Sequence, residues 1–233
     1  MSLFQFKEFS INQEGASMKV GTDSMILGAF IDSEQKKIGL DIGTGTGVLS
    51  LMVAQKNKHL VLHAIDIDEN NISLANENFK KSKFENTFET INGDFLNFKP
   101  KIKYDLIFSN PPYYENGLLN KDKRKSDSRH EQSLPLKQLF NKTAQLLSSD
   151  GDFWIVLPSS NSDKWITYAQ SLQLFINELY LIEGKEGVLS RVVCRFSLMK
   201  CDLSQETLII RDSKNNYTEK YKALTIDFHG VKL

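Results

Sequence analysis

Asp41-Ile42-Gly43-Thr44-Gly45-Thr46-Gly47 joins a brief apolar run, Ile38 to Ile42, to a second one made by Val48, Leu49, Leu51, Met52, Val53 and Ala54. The first run has the length of a buried strand, and the second reads as a buried helix. Glycines at such a strand-to-helix turn permit a tight bend and let a ligand approach the backbone, while the helix start offers free N–H groups. Leu60 to Ile67 reads as the next strand and ends in acids. Asp66 there lies about 20 residues beyond the loop, where an acid can bind ribose hydroxyls. Loop and acid together predict a nucleoside-containing cofactor at the carboxyl ends of the first two strands.

The glycine order is GxGxG, which differs from the GxGxxG of dinucleotide binders. Asp41 also sets a carboxylate just ahead of the loop. That is awkward beside a diphosphate and favourable beside a cation. Both features weigh against a nicotinamide dinucleotide. They favour S-adenosylmethionine, which carries a sulfonium and an amino group.

The pattern continues outward as strand and helix in alternation. Before the loop, Phe4 to Phe9 is a short extended segment. Thr22 or Asp23 is expected to N-cap a helix whose apolar face is Met25, Ile26, Leu27, Ala29 and Phe30. After it come a polar helix, Glu69 to Lys80, and a third strand, Thr87 to Asn92, ending at Gly93-Asp94-Phe95. A fourth strand, Tyr104 to Phe108, delivers Ser109-Asn110-Pro111-Pro112-Tyr113-Tyr114. Neither proline can donate a ladder hydrogen bond, so that strand must stop. Glu115 to Glu131 is a long polar loop. Leu134 to Leu147 has helical spacing with Pro135 in its first turn, Phe153 to Leu157 is a fifth strand, and Ser160 to Leu172 is another helix. Phe175 to Glu183 and Arg191 to Met199 predict a hairpin turned at Gly184-Lys185-Glu186-Gly187, and Glu206 to Arg211 is an edge strand or loop. This order implies an α/β fold with a mostly parallel sheet covered on both faces.

The 233 residues suit a single domain: an extension and capping helix over 1–36, a core over 37–200, and a strand or tail over 201–233. Hydrophobic residues are 40% and charged residues 25%, the balance of a soluble globular chain. Net charge is +0, so a nucleic-acid partner needs a local patch. Lys121, Lys123, Arg124, Lys125 and Arg129 offer one just past Asn110; a solvated charge run is the other reading. Arg191 and Arg195 alternate on one strand and either extend the patch or face solvent. Cys194 and Cys201 read as reduced thiols, and the four scattered histidines form no ligand pair, so no metal is expected. No run reaches membrane-spanning length, and a cytoplasmic monomer is the expectation.

Asp41 to Gly47, Asp66, Gly93-Asp94-Phe95 and Asn110-Pro111-Pro112-Tyr113 together resemble the class I S-adenosylmethionine-dependent methyltransferases. The likeness is to the branch with an NPPY signature that methylates exocyclic or amide nitrogens. Lys19-Val20-Gly21-Thr22-Asp23-Ser24 and Ser128-Arg129-His130-Glu131 are similar to the bacterial tRNA valine-1 (adenine-37, N6) methyltransferases. The resemblance implies a Rossmann-like, mostly parallel seven-stranded sheet with a C-terminal antiparallel hairpin. It implies a tRNA substrate and S-adenosylhomocysteine as product. It sets the cofactor against Thr22, Asp41, Gly43, Gly45, Gly47, Asp66, Ile67, Asp94, Phe95 and Asn110. Helix capping explains Thr22 equally well.

Chemistry supplies roles for the NPPY turn. An aromatic amine is a poor nucleophile because its lone pair is delocalised into the ring. The Asn110 side-chain carbonyl and the Pro111 backbone carbonyl can accept both N–H bonds of one amino group, orienting the lone pair toward the methyl. No tuned general base is then needed. Pro112 stiffens the turn, and Tyr113 can stack on the flat target. Tyr114 and the basic cluster are candidates for RNA contact. Two other classes remain: a protein glutamine methyltransferase of the release-factor type, or a non-catalytic cofactor- or RNA-binding module. A DNA adenine methyltransferase is disfavoured by the lack of a target-recognition domain.

Overall fold

The computed structural model describes residues 3–112 and 135–229. Its strands are β1 (Leu3–Gln5), β2 (Ser10–Asn12), β3 (Ile38–Ile42), β4 (Val61–Asp66), β5 (Phe88–Asn92), β6 (Tyr104–Ser109), β7 (Leu147–Pro158), β8 (Phe175–Lys185), β9 (Leu189–Ser197) and β10 (Ser204–Arg211). Its helices are α1 (Thr22–Phe30), α2 (Val48–Lys56), α3 (Glu69–Lys81), α4 (Leu136–Leu146), α5 (Ser162–Ser171) and α6 (Glu219–Thr225). β1 and β2 pair as a small antiparallel ribbon. The other strands form one eight-stranded sheet in the order β10-β8-β9-β7-β6-β3-β4-β5. β9 alone runs against its neighbours, β7 and β8. The remaining pairings are parallel.

The central strands are apolar without alternation because helices cover both faces. Leu106, Ile107 and Phe108 are consecutive in β6 and fully buried. Successive side chains of a strand point to opposite faces, so such a run needs two cores. One core joins Leu106, Phe108 and Trp154 to Leu27 of α1, Met52 of α2, Phe79 of α3 and Tyr221 of α6. The other joins Leu40, Ile107 and Phe153 to Leu139 and Phe140 of α4 and Ala169 of α5.

The order of the strands creates the site. From β3 the chain moves outward through β4 to β5, then returns to lay β6 on the other side of β3. The crevice outside the carboxyl ends of two such strands is where open α/β sheets bind ligands. Ile42 and Ser109 are register partners, so Gly43 and Asn110 leave the sheet side by side. The Ser109 hydroxyl donates to the Ile42 carbonyl at 2.8 Å and locks the two exits together.

Three features depart from the sequence reading. The N-cap of α1 is Gly21, with no side-chain cap bond, so neither Thr22 nor Asp23 caps it. Thr22 is exposed there, and Asp23 instead meets Arg191. Of the two readings of Glu206 to Arg211 the edge strand holds: β10 pairs in parallel with β8 and adds an eighth strand to the seven that the resemblance implied. The polar tail also contains α6, capped by Thr218 accepting from the Tyr221 N–H, and its Tyr221 is buried at 3% exposure.

Gly47 caps α2 at φ +79°, and a Cβ there would lie 2.5 Å from the Phe79 ring. It is therefore the contact by which α2 sits against α3. Gly47→Ala is expected to destabilise the fold by about 2–4 kcal/mol, combining left-handed strain with overpacking. Urea unfolding measures it, and a change below about 0.5 kcal/mol would contradict the packing argument.

Candidate functional site

The glycine loop folds back over the end of β4. Gly43 and Gly45 have φ of +71° and +55°, values that glycine adopts without strain. The Gly43 and Thr44 N–H groups donate to the Ile65 carbonyl at 2.9 and 3.1 Å. The Gly45 N–H donates to Asp66 Oδ2 at 2.8 Å. A Cβ at Gly43 or Gly45 would meet no protein atom within 4 Å. Both positions line a cavity of about 650 Å³, so a side chain there would enter ligand space.

Asp66 is the junction of the site. Its Oδ1 accepts the Asp68 N–H at 2.9 Å, and Oδ2 accepts Gly45 N–H and Asn71 Nδ2, the latter at 3.2 Å. Asn71 Nδ2 also lies 3.0 Å from Ser17 Oγ, which draws the N-terminal segment over the cavity. Asp68 N-caps α3 by accepting the Asn70 N–H. On the next strand, Asp94 accepts from the Leu96 N–H and Asn97 Nδ2, both at 2.8 Å. These bonds hold its carboxylate beside Phe95, which is 5% exposed. The Lys142 ammonium lies 5.5 Å from the centre of the Phe95 ring.

The cavity wall contains Gly43, Gly45, Asp66, Ile67, Asp94, Phe95, Asn110 and Pro112. Eight residues singled out from four separate stretches of sequence thus share one space. Asn110 sits where β6 ends, and its Nδ2 donates to Ser24 Oγ of α1 at 3.0 Å. Other expected site residues stand elsewhere. Thr22, Asp41, Gly47 and Pro111 do not line this cavity. Tyr113, Tyr114, Lys121, Lys123, Arg124, Lys125 and Arg129 lie outside the described residues. Arg195 pairs with Asp152 at 2.9 Å and Glu178 at 2.6 Å, so it belongs to an ion-pair network on the sheet.

Asp41 differs from its expected placement in an instructive way. Its carboxylate is fully buried behind the loop, where Oδ2 accepts from Thr44 Oγ1 and Ser50 Oγ, both at 2.7 Å. Oδ1 has no hydrogen-bond partner among the described residues. Burial pushes the carboxyl up to about 6, against the lowering effect of the two hydroxyls. An under-satisfied acid directly behind a ligand loop suits a cationic ligand in front of it.

Several wall residues carry no local signal. Gly15, Ala16, Ser17 and Met18 come from the N-terminal segment, and Pro135 and Gln138 from the start of α4. The Ser17–Asn71 contact spans 54 positions, which no periodicity reveals. Asp68, one of the acids that end β4, N-caps α3 and also lines the wall, as does Asn71 from the first turn of α3.

The methyltransferase small domain family model matches residues 16–187. The chain is 35% identical over 228 residues to a Bacteroides thetaiotaomicron protein named tRNA1(Val) (adenine(37)-N6)-methyltransferase, covering 97% of this chain and 96% of that one. A Christiangramia forsetii protein of the same name is 34% identical over 97% of each chain. A solved predicted O-methyltransferase from Agrobacterium tumefaciens shares the fold at TM-score 0.68 and 14% identity, over 90% of this chain and 98% of that one. A putative class I S-adenosylmethionine-dependent methyltransferase from Listeria monocytogenes aligns at TM-score 0.54 and 14% identity, over 81% of this chain and 62% of that one.

With a carboxyl near 6, Asp41 is mostly protonated at about pH 5 and ionised at about pH 7.5. A cationic ligand favours the ionised form, so S-adenosylmethionine affinity should rise with pH through this range. Calorimetry is expected to show binding about tenfold tighter at the higher pH, with the difference absent in Asp41→Asn. Equal affinities in the unmutated protein would contradict it.

Proposed function

The chain belongs to the methyltransferase small domain family and, within it, to the tRNA1(Val) (adenine(37)-N6)-methyltransferases, and from that premise we propose that it methylates the exocyclic N6 of an adenine in tRNA, adenine 37 of a valine tRNA. The observation that carries the reading is the shared cavity: the glycine loop after β3 and the Asn-Pro-Pro turn after β6 open into the same space.

The cavity fits S-adenosylmethionine in its glycine cradle, the Asp66 and Asp94 carboxylates and the under-satisfied Asp41 behind the loop. In this reading Asp94 accepts from the adenine amino group, Phe95 packs on that ring, and Asp66 takes the ribose hydroxyls. Gly43 and Gly45 admit the methionine end. When bound, the cofactor supplies an electrophilic methyl on a sulfonium. The chain's own part is to aim the acceptor. Asn110 Oδ1 and the Pro111 carbonyl take the two N–H bonds of the adenine amino group, which turns its lone pair out of conjugation and toward the donor. The proton leaves the nitrogen after transfer, so no residue need be a strong base.

Tyr113 stacks on the adenine in this reading, and the basic residues between 121 and 129 hold RNA phosphates. In this reading the unit that acts is a monomer of 1–233. A tRNA substrate locates the reaction in the cytoplasm. Among the described residues no helix is long and apolar enough to cross a membrane. The release-factor reading is weaker, because full-length likeness runs to proteins named for tRNA.

Incubation with tRNA and methyl-labelled S-adenosylmethionine should place label in N6-methyladenosine after nucleoside digestion. Asn110→Ala should lower turnover by at least about 100-fold, near 2.7 kcal/mol, with cofactor affinity within about threefold. Unlabelled tRNA, or full turnover in Asn110→Ala, would overturn the reading.

A further inference from the structure

The first turn of α1 touches the acceptor site directly. Asn110 Nδ2 donates to Ser24 Oγ at 3.0 Å, across 86 positions of chain. Ser24 is 7% exposed, and among the described residues it does not line the cavity. Its neighbour Asp23 accepts from Arg191 Nε at 3.1 Å, and Arg191 pairs in β9 with Pro158, the last residue of β7. One helical turn is thus tied on one side to the turn after β6 and on the other to the carboxyl edge of the sheet.

A primary carboxamide carries a two-hydrogen donor on one fork and an acceptor on the other. Its terminal torsion is broad and roughly two-fold, so side-chain position alone does not decide which fork faces a ligand. Only the oxygen can accept an N–H from an amino group. A partner that takes the nitrogen, as Ser24 Oγ does, favours presentation of the oxygen fork.

We infer that Ser24 is the positioning residue for Asn110: its hydroxyl takes Nδ2 and so turns Oδ1 toward the incoming amino group, while the Asp23–Arg191 pair holds α1 in place for that bond. This rests on the adenine N6 reading above. Ser24 does not line the cavity, so the role assigned to it runs through the amide.

Three variants test it. Ser24→Ala removes the acceptor; Ser24→Cys keeps nearly the same volume but offers only a weak one; Ser24→Thr keeps the hydroxyl. Ala and Cys are expected to lower kcat on tRNA about ten- to 100-fold, with S-adenosylmethionine affinity and unfolding midpoint near those of the unmutated protein. Thr is expected to return kcat to within about threefold. Undiminished kcat in Ala and Cys would overturn the assignment. So would a fall in cofactor affinity parallel to kcat in all three variants, which would make Ser24 a packing residue. An unmutated protein that labels no adenine in tRNA defeats the functional reading itself. An active protein indifferent to Ser24 defeats only the positioning role.

Discussion

The Asp66 carboxylate holds the site in one piece. Its two oxygens accept the Gly45 N–H, the Asp68 N–H and the Asn71 amide, and so fix the glycine loop, the exit of β4 and the start of α3 relative to one another. Asn71 passes the connection to Ser17, which places the N-terminal segment on the cavity wall. A buried acceptor with several charge-assisted bonds is rigid, because each lost bond would leave a buried polar group unmatched. The geometry of the donor half therefore follows from one side chain at the end of one strand.

The acceptor half is held differently. Asn110 is set by the register of β6 on β3, by the Ser109 bond to the Ile42 carbonyl, and by Ser24 of α1. Sheet register fixes where the turn begins, and two consecutive prolines stop it from continuing the ladder. Donor and acceptor halves rely on different helices, α3 and α1, yet meet at the switch point between β3 and β6. The N-terminal residues serve both halves, through Ser17 and Ser24. What the sequence presents as an extension ahead of the core is a structural part of the site.

How legible this was depends on how local the cause is. The glycine loop, the acids ending β4 and β5, and the proline stop after β6 announce themselves because each is a backbone constraint written in adjacent residues. The eight motif residues on the cavity wall came from such signals. Gly15 to Met18 could not, since their place depends on a contact 54 positions away. Asp41 was legible as a carboxylate before the loop, but its burial was not: its side chain turns behind the loop, where Thr44 of the loop and Ser50 of α2 receive it. Gly21 stands as the cap of α1 in place of Thr22 and Asp23, and Asp23 pairs with Arg191, 168 positions away. β10 joined the sheet in parallel because the edge of β8 was open to it, a pairing no run of residues encodes.

In the proposed reaction, methyl donor and acceptor amine meet in the cavity between the β3 and β6 exits. A crystal structure with S-adenosylhomocysteine soaked or co-crystallised tests it most directly. The adenine is expected beside Asp94 and Phe95, the ribose hydroxyls on Asp66, the amino acid end over Gly43 and Gly45, and the sulfur facing Asn110. Ligand density elsewhere, or a sulfur turned away from Asn110 with the ribose off Asp66, would contradict it.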